Sequence, residues 1–251
     1  MKLNTVICDD IFNVMPKIAD KSIDMILTDM PYNTTACSWD KEVIPLDNLW
    51  EGFKRIIKDN GAIVMTASQP FTSKLVMSNL KMFKYELIWE KERPTNFMQG
   101  KKQILKYHEN ILIFYKRQCA FNPILEKKKK KNKRNNAPRG LENKVYGIKN
   151  TGKYSERCVA GGNKDWIYPK SVLNFSMERG LHPTQKPVAL FEYLIKTYTN
   201  EGDIVLDNCI GSGTTAIAAM HAKRDWIGIE KDEAYCDIAE ARIKEELNDK
   251  S

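Results

Sequence analysis

Four short apolar runs in this chain each lead into an acidic residue, and that repetition constrains the fold more than any other feature. Asn4 to Cys8 ends in Asp9-Asp10, Met25 to Leu27 leads into Asp29, Ile204 to Leu206 ends in Asp207, and Trp226 to Ile229 ends at Glu230. A brief apolar run bounded by polar residues reads as a buried strand of a parallel sheet. Ile11, Phe12, Met15 and Ile18 fall at helical spacing between the first two runs, and the order strand, helix, strand is the unit of a parallel α/β fold. In such a sheet, ligands bind beyond the carboxyl ends of the strands. Asp29, Asp207 and Glu230 are therefore candidate site residues by position.

Other stretches complete the pattern. Leu46 to Ile57 places Leu46, Leu49, Trp50, Phe53, Ile56 and Ile57 on one helical face, and Asn60-Gly61 is expected to stop it. Ala62–Ala67, Tyr85–Lys91, Glu109–Tyr115 and Ser171–Phe175 read as strands. Pro70–Leu80, Val188–Thr199, Thr215–His221 and Asp232–Leu247 read as helices, and Pro94–Lys102 as a polar loop carrying Phe97. With 251 residues, 42% of them hydrophobic, the chain can bury one substantial core and still carry an insertion. No apolar run reaches the roughly 18 residues of a membrane span. The six cysteines form no Cys-x-x-Cys pair, so neither a zinc site nor a thioredoxin-like motif is indicated, and no metal is expected. Scattered thiols without a signal peptide fit a cytoplasmic protein.

The charge is uneven. The chain carries a formal +8, but residues 116–170 hold 16 Lys and Arg against 4 Asp and Glu. The basic excess is thus confined to one segment, and the remainder is acidic. Lys127, Lys128, Lys129, Lys130 and Lys131 are consecutive, followed by Lys133 and Arg134. One reading is a solvated surface insertion; the other is a polyanion-binding element.

Two motifs carry chemistry. Asp29-Met30-Pro31-Tyr32 offers an acceptor-only carboxylate, a stiff turn and an aromatic plate, which suit a planar base bearing an amino group; the plain alternative is a strand-ending turn. Asp207 followed by Gly211-Ser212-Gly213-Thr214 and a helix is a nucleotide-type site. Its glycines admit a ligand close to the backbone, and the helix N-terminus attracts an anion. Glu230, at the end of the next strand, is placed to bind ribose hydroxyls. A dinucleotide-binding enzyme competes, but Thr215-Ala216 stands where a third glycine belongs.

Together, Asp-x-Pro-Tyr, His182-Pro183-Thr184-Gln185-Lys186-Pro187 and the glycine motif, in that order, resemble the β class of DNA amino-methyltransferases, which act on adenine N6 or cytosine N4. The resemblance covers about residues 1–117 and 171–247. It implies a permuted Rossmann-like α/β fold with a mostly parallel seven-stranded sheet. The catalytic domain would lie in two parts, 1–116 and 179–251, around a basic target-recognition insertion at 117–178. It implies S-adenosylmethionine as cofactor, lined by Asp207, Gly211, Ser212, Gly213 and Thr214, with Glu230 on the ribose, Asp10 near the cofactor adenine, and Asp29, Gln185 and Lys186 closing the site. Asp29, Met30, Pro31 and Tyr32 would face a target base flipped out of double-stranded DNA. Phe97 and the lysine-rich run would contact DNA. Met30 departs from the family's usual Pro at that position. Asp at position 29 favours adenine over cytosine, with restriction-modification as the setting. A homodimer and a cognate restriction endonuclease are the further partners the resemblance suggests. The rival readings are cytosine-N4 methylation, methylation of RNA or of a protein amide by the same chemistry, and an inactive DNA-binding subunit. For single residues the plain alternatives are a helix cap for Asp10, a surface acid for Glu230 and a solvated lysine for Lys186. His108-Glu109 reads as scaffold, and His182 as structural.

Overall fold

The computed structural model describes residues 1–32, 45–127, 165–178 and 185–248. The chain divides into two compact units, Met1–Asn122 with Ser171–Ser251, and Pro123–Lys170. The first unit is built on one eight-stranded sheet. Its order is β1 (Thr5–Cys8), β10 (Asp225–Glu230), β9 (Ile204–Asp207), β2 (Ile23–Thr28), β3 (Ile57–Ala67), β5 (His108–Phe114), β4 (Phe83–Glu90) and β8 (Val172–Asn174). Only β5 runs against the others. The carboxyl ends of the remaining seven strands thus share one edge. The sheet has eight strands rather than seven, because the short run after Ser171 pairs in parallel with β4.

Among the described residues, six helices cover the sheet: α1 (Ile11–Val14), α2 (Leu46–Ile56), α3 (Phe71–Ser78), α4 (Val188–Tyr198), α5 (Thr214–His221) and α6 (Glu233–Asn248). Alternation along the strands sorts the core into two layers. Ala62 and Val64 of β3 pack with Leu190, Phe191 and Leu194 of α4 and the alanines of α5. Ile63, Met65 and Ala67, one residue out of phase, pack with α1, α2 and α3. Trp50 of α2 is central to that second layer, against Phe114 at 5.0 Å, with its Nε1 donating to Ser78 Oγ at 2.7 Å.

Local chemistry moves several boundaries. The expected helix Ile11–Ile18 is four residues of α-helix followed by a 3-10 turn, Met15–Lys17, because Pro16 has no N–H to continue the ladder. Asn60-Gly61 does not end α2. The helix stops at Ile56, Ile57 is already extended, and β3 starts there. The pairing of β2 with β3 then slips, from Ile23↔Ile57 to Met25↔Ala62, so Asn60-Gly61 lies in a bulge. A Cβ on Gly61 would stand 2.7 Å from the carbonyl oxygen of Asp24, which explains the glycine by close approach rather than by a helix cap. The thiols are also not all separate: Cys8 and Cys236 form a disulfide with Cα atoms 6.0 Å apart, tying the end of β1 to α6, while Cys119 and Cys209 are free.

Segments 117–122 and 171–178, expected in the insertion, pack in the first unit. Cys119 is buried in its core, Asn122 bonds the carbonyls of Thr197 and Thr199 at the end of α4, and β8 joins the sheet. In the second unit, β6 (Glu126–Lys127) and β7 (Trp166–Ile167) form an antiparallel ribbon, and Lys170 pairs with Glu126 at 2.6 Å. Lys128, Lys129, Lys130, Lys131, Lys133 and Arg134 lie outside the described residues, as do His182, Pro183 and Thr184. Among the described residues, no helix is long and apolar enough to cross a membrane.

Gly61→Ala should destabilise the protein by about 1–3 kcal/mol, the usual range for forcing atoms into a packed site. Gly100→Ala, where the nearest atom to an added Cβ is 3.4 Å away, should be nearly neutral. Urea denaturation of both variants measures the difference, and equal midpoints would contradict the close-approach account.

Candidate active site

The site lies at the shared carboxyl edge. β2 hands the chain to Asp29 through Tyr32. β9 ends in Asp207 and the glycine loop, and β10, beside it, ends in Glu230. Sheet order alone gathers these residues, since β9 lies between β2 and β10.

Asp29 is the centre of a dense polar cluster. Its Oδ1 accepts from Tyr32 Oη and from Thr66 Oγ1, and these two hydroxyls lie 2.8 Å apart. Its Oδ2 accepts from Lys186 Nζ at 2.5 Å. Lys186 is only 5% exposed and also stands 3.4 Å from Glu109, whose other oxygen accepts from buried Lys91. Burial alone would push the Lys186 ammonium down, but Asp29 and Glu109 outweigh it and hold its pKa above the ordinary value. Burial likewise pushes the Glu109 carboxyl up, and Lys186 and Lys91 more than reverse this, keeping it ionised. The phenol of Tyr32 is raised well above its usual range, by burial and then by Asp29 and Glu109, so it stays protonated. Its ring stacks on Phe71, centroids 5.5 Å apart and planes 25° apart. Met30 points away and fills the core beside α1 and α2.

The second half is the loop from Asp207 to α5. Gly211 and Gly213 take positive φ of 51° and 84°, the left-handed region in which a side chain is strained. No atom lies within 4 Å of where a Cβ on Gly211 would stand, which leaves an open approach to the backbone there. Glu230 holds the loop by accepting the Gly211 N–H at 2.9 Å, and its other oxygen accepts the N–H groups of Lys231 and Asp232. Asp207 is buried and accepts from Thr215 Oγ1 and from the Cys209 N–H at 3.0 Å. Burial raises its pKa to about 7 against the help of those two donors, and the nearby charges of Asp29 and Glu230 add to the rise.

Other residues named from the sequence fall in place or apart. Asp10 caps α1, accepting the Phe12 N–H at 2.7 Å, the plainer of its two readings. Gln185 donates weakly to Glu178 at 3.4 Å, while its Oε1 is buried with no partner among the described residues. Lys186 reaches Asp29 rather than the glycine loop, and is no solvated lysine. Ser212 and Thr214 are gripped by Arg242 of α6, at 3.1 Å from the Ser212 carbonyl and from Thr214 Oγ1. Phe97 is 71% exposed on a 3-10 turn between β4 and β5. Thr66, Phe71, Glu109 and Arg242 were not legible as site residues. Thr66 and Glu109 look like parts of core strands, and Arg242 like one surface charge in an acidic helix. Only the His-Glu pair that opens β5 hinted at Glu109. Among the described residues, no cluster of His, Cys, Asp and Glu could hold a metal ion.

The chain is similar in sequence and in fold to known proteins. The chain is 31% identical to DNA adenine methyltransferase YhdJ of Escherichia coli, over 95% of the chain and 82% of that protein. It is 29% identical to type II methyltransferase M.HpaI of Haemophilus parainfluenzae, over 97% of the chain and 75% of that protein. The fold is similar to the M1.HpyAVI–SAM complex, at TM-score 0.61 and 24% identity over 95% of this chain and 98% of that one. It is also similar to the cytosine-N4-specific PvuII DNA methyltransferase, at TM-score 0.64 and 15% identity over 97% and 90%. A family model described as DNA methylase matches residues 23–241, a span that takes in both halves of the site, and the chain belongs to that family.

Proposed function

We propose that this DNA methylase transfers a methyl group from S-adenosylmethionine to the exocyclic N6 of adenine in duplex DNA. The observation that carries the reading is the Asp29 cluster beside the glycine loop. A carboxylate has about four acceptor positions. Tyr32 and Thr66 occupy Oδ1 and Lys186 occupies one position on Oδ2, which leaves one acceptor for an incoming N–H. The other amino hydrogen would go to a carbonyl of Met30 or Pro31. Holding both hydrogens favours a pyramidal nitrogen with its lone pair freed from the ring. The fixed carboxylate also stabilises the positive charge that grows on that nitrogen, without reorganising. A base inside a duplex cannot reach this edge, so it is taken out of the stack.

The residues present fit the cofactor. Asp29, Asp207 and Glu230 form an acidic edge that complements a cation, the backbone at Gly211 is open to approach, and Gln185 offers a buried, unpartnered acceptor among the described residues. When bound, S-adenosylmethionine supplies a methyl group activated on a sulfonium. Glu230 and Asp207 would hold it, with the loop fixed from behind by Arg242. Adenine over cytosine is favoured by aspartate at position 29 and by the likeness in sequence to an adenine methyltransferase; the fold is also similar to that of a cytosine-N4-specific enzyme. Incubation with tritiated S-adenosylmethionine and unmethylated genomic DNA, followed by nucleoside analysis, tests this directly. N6-methyladenine is expected, N4-methylcytosine would move the target to cytosine, and no labelled base would overturn the activity.

Asp29→Ala should abolish single-turnover methylation and Asp29→Asn should leave little, a loss of about 10²–10³ or more, on the scale of removing one preorganised electrostatic partner. Cofactor affinity should fall far less. Near-normal methylation by Asp29→Ala would sink the mechanism.

Glu230→Ala should weaken cofactor binding by about 1.5–3 kcal/mol, the worth of a charged hydrogen bond. Asp207 gives a pH signature. Its proton is held up to about pH 7 in the free protein. A cationic ligand favours the ionised form, so affinity should rise as pH passes from 6 to 8 and then level off. Asp207→Asn should flatten that rise. Calorimetry across this range checks both, and identical profiles for wild type and Asp207→Asn would remove Asp207 from the cofactor site.

A further inference from the structure

The connection between β4 and β5 is a hairpin that presents three apolar side chains to solvent, two on its turn and Ile104 on the returning arm. Met98 is 86% exposed, Ile104 95% and Phe97 71%. Three large apolar side chains exposed on one short connection mark it as a candidate contact element. Residues 91–107 also carry five Lys and Arg against a single acid, Glu92, although most of the charge excess lies elsewhere in the chain. The hairpin is held in shape by its own bonds: Lys91 N–H to the Tyr107 carbonyl at 2.7 Å, Thr95 N–H to the Lys106 carbonyl at 3.1 Å, and Lys106 N–H to Asn96 Oδ1 at 2.7 Å. Lys106 Nζ also donates to Ser68, just past the end of β3.

Its position matters. β4 and β2 point the same way, so the hairpin rises from the edge that carries Asp29. β3 and β5 lie between them, which puts β4 three strand spacings from β2, about 14 Å. The neck of the hairpin joins the catalytic cluster through Lys91 and Glu109.

We propose that the apolar tip, Met98 and Ile104 with Phe97, enters the DNA duplex and occupies the gap left by the extruded target base, while Arg93, Lys101 and Lys102 rest on the flanking phosphates. Apolar side chains inserted between base steps are a known way to hold a duplex deformed, and cations beside them supply attraction to the backbone. The hairpin thus separates two tasks. The Asp29 cluster receives the flipped base, and the tip keeps the helix from closing behind it. This rests on the methyltransferase reading above.

The test uses the full-length protein and a synthetic duplex bearing the site that becomes modified in genomic DNA. Wild type and the double variant Met98→Ser with Ile104→Ser are compared on two substrates, one fully paired and one with an abasic position opposite the target base. Both side chains are exposed, so the substitutions spare the core. The variant should lose about tenfold or more in single-turnover rate on the paired duplex, because opening a paired, stacked base is where the wedge acts. It should stay within about twofold of wild type on the abasic duplex, where little pairing has to be broken. With 2-aminopurine at the target position, emission on binding should rise for wild type and much less for the variant. Equal loss on both substrates, or no loss on either, would overturn the wedge. Light scattering that shows the variant converting a dimer to a monomer would assign the tip to a second copy of the chain and overturn it too. If wild type modifies neither substrate, the methyltransferase reading itself falls.

Discussion

The buried ion cluster of Lys91, Glu109, Lys186 and Asp29 is the interaction on which the rest of this structure depends. It joins four places in the chain: the end of β2, the end of β4, the start of β5 and the turn before α4. Two ammoniums and two carboxylates leave it neutral, so it avoids the penalty of an uncompensated buried charge. Removing any one partner would strand another, at a typical cost of about 3–5 kcal/mol. The cluster therefore acts on folding and on chemistry together. It brings a residue from after the insertion, Lys186, against one from before it, Asp29, and so couples the two segments of the larger unit at the point where a substrate would sit.

The two halves of the site are held by different physics. Around Asp29 the donors are side chains from separate segments: Tyr32 after β2, Thr66 of β3 and Lys186 before α4. At the glycine loop the partners are mostly backbone. Glu230 takes the Gly211 N–H, Arg242 grips the Ser212 carbonyl, and two glycines adopt angles that few other residues tolerate. The loop can follow the outline of a ligand because its shape is set from behind, by α6. Asp207 stands between the halves, with a pKa raised to about 7 chiefly by its burial, the charges of Asp29 and Glu230 adding a smaller part.

Much of this was readable in the sequence. Four apolar runs with acids after them announce a parallel sheet and the edge where its ligands sit, because strand direction and residue position are tied by local geometry. Asp29, Asp207, Gly211, Gly213 and Glu230 all fall at that edge. What could not be read depends on packing between distant segments. Nothing local distinguishes Thr66 or Glu109 from other strand residues, and their roles arise when β3 and β5 come beside β2. Phe71 becomes a platform for Tyr32 only once α3 packs. Asn60-Gly61 carries the same letters as a helix stop, and only the slip in pairing with β2 shows it as a bulge. Asp10 carries both a cap signal and a site signal, and its observed bond is the cap.

The ends of the second unit have a consequence for how such a protein changes over time. Residue 122 is fastened to the end of α4, and the strand at 172 is fastened to β4, so both points where the chain leaves and re-enters the larger unit are fixed by that unit's own bonds. The 48 residues 123–170 lie between these two fixed points, and the entropy of joining fixed ends grows only slowly with the length of chain between them, about 0.6 kcal/mol for each doubling in a flexible connection. Substitution, lengthening or wholesale replacement of that segment therefore bears little on the stability of the sheet. Selection on what the segment contacts is free to run quickly while the chemistry at Asp29 stands still.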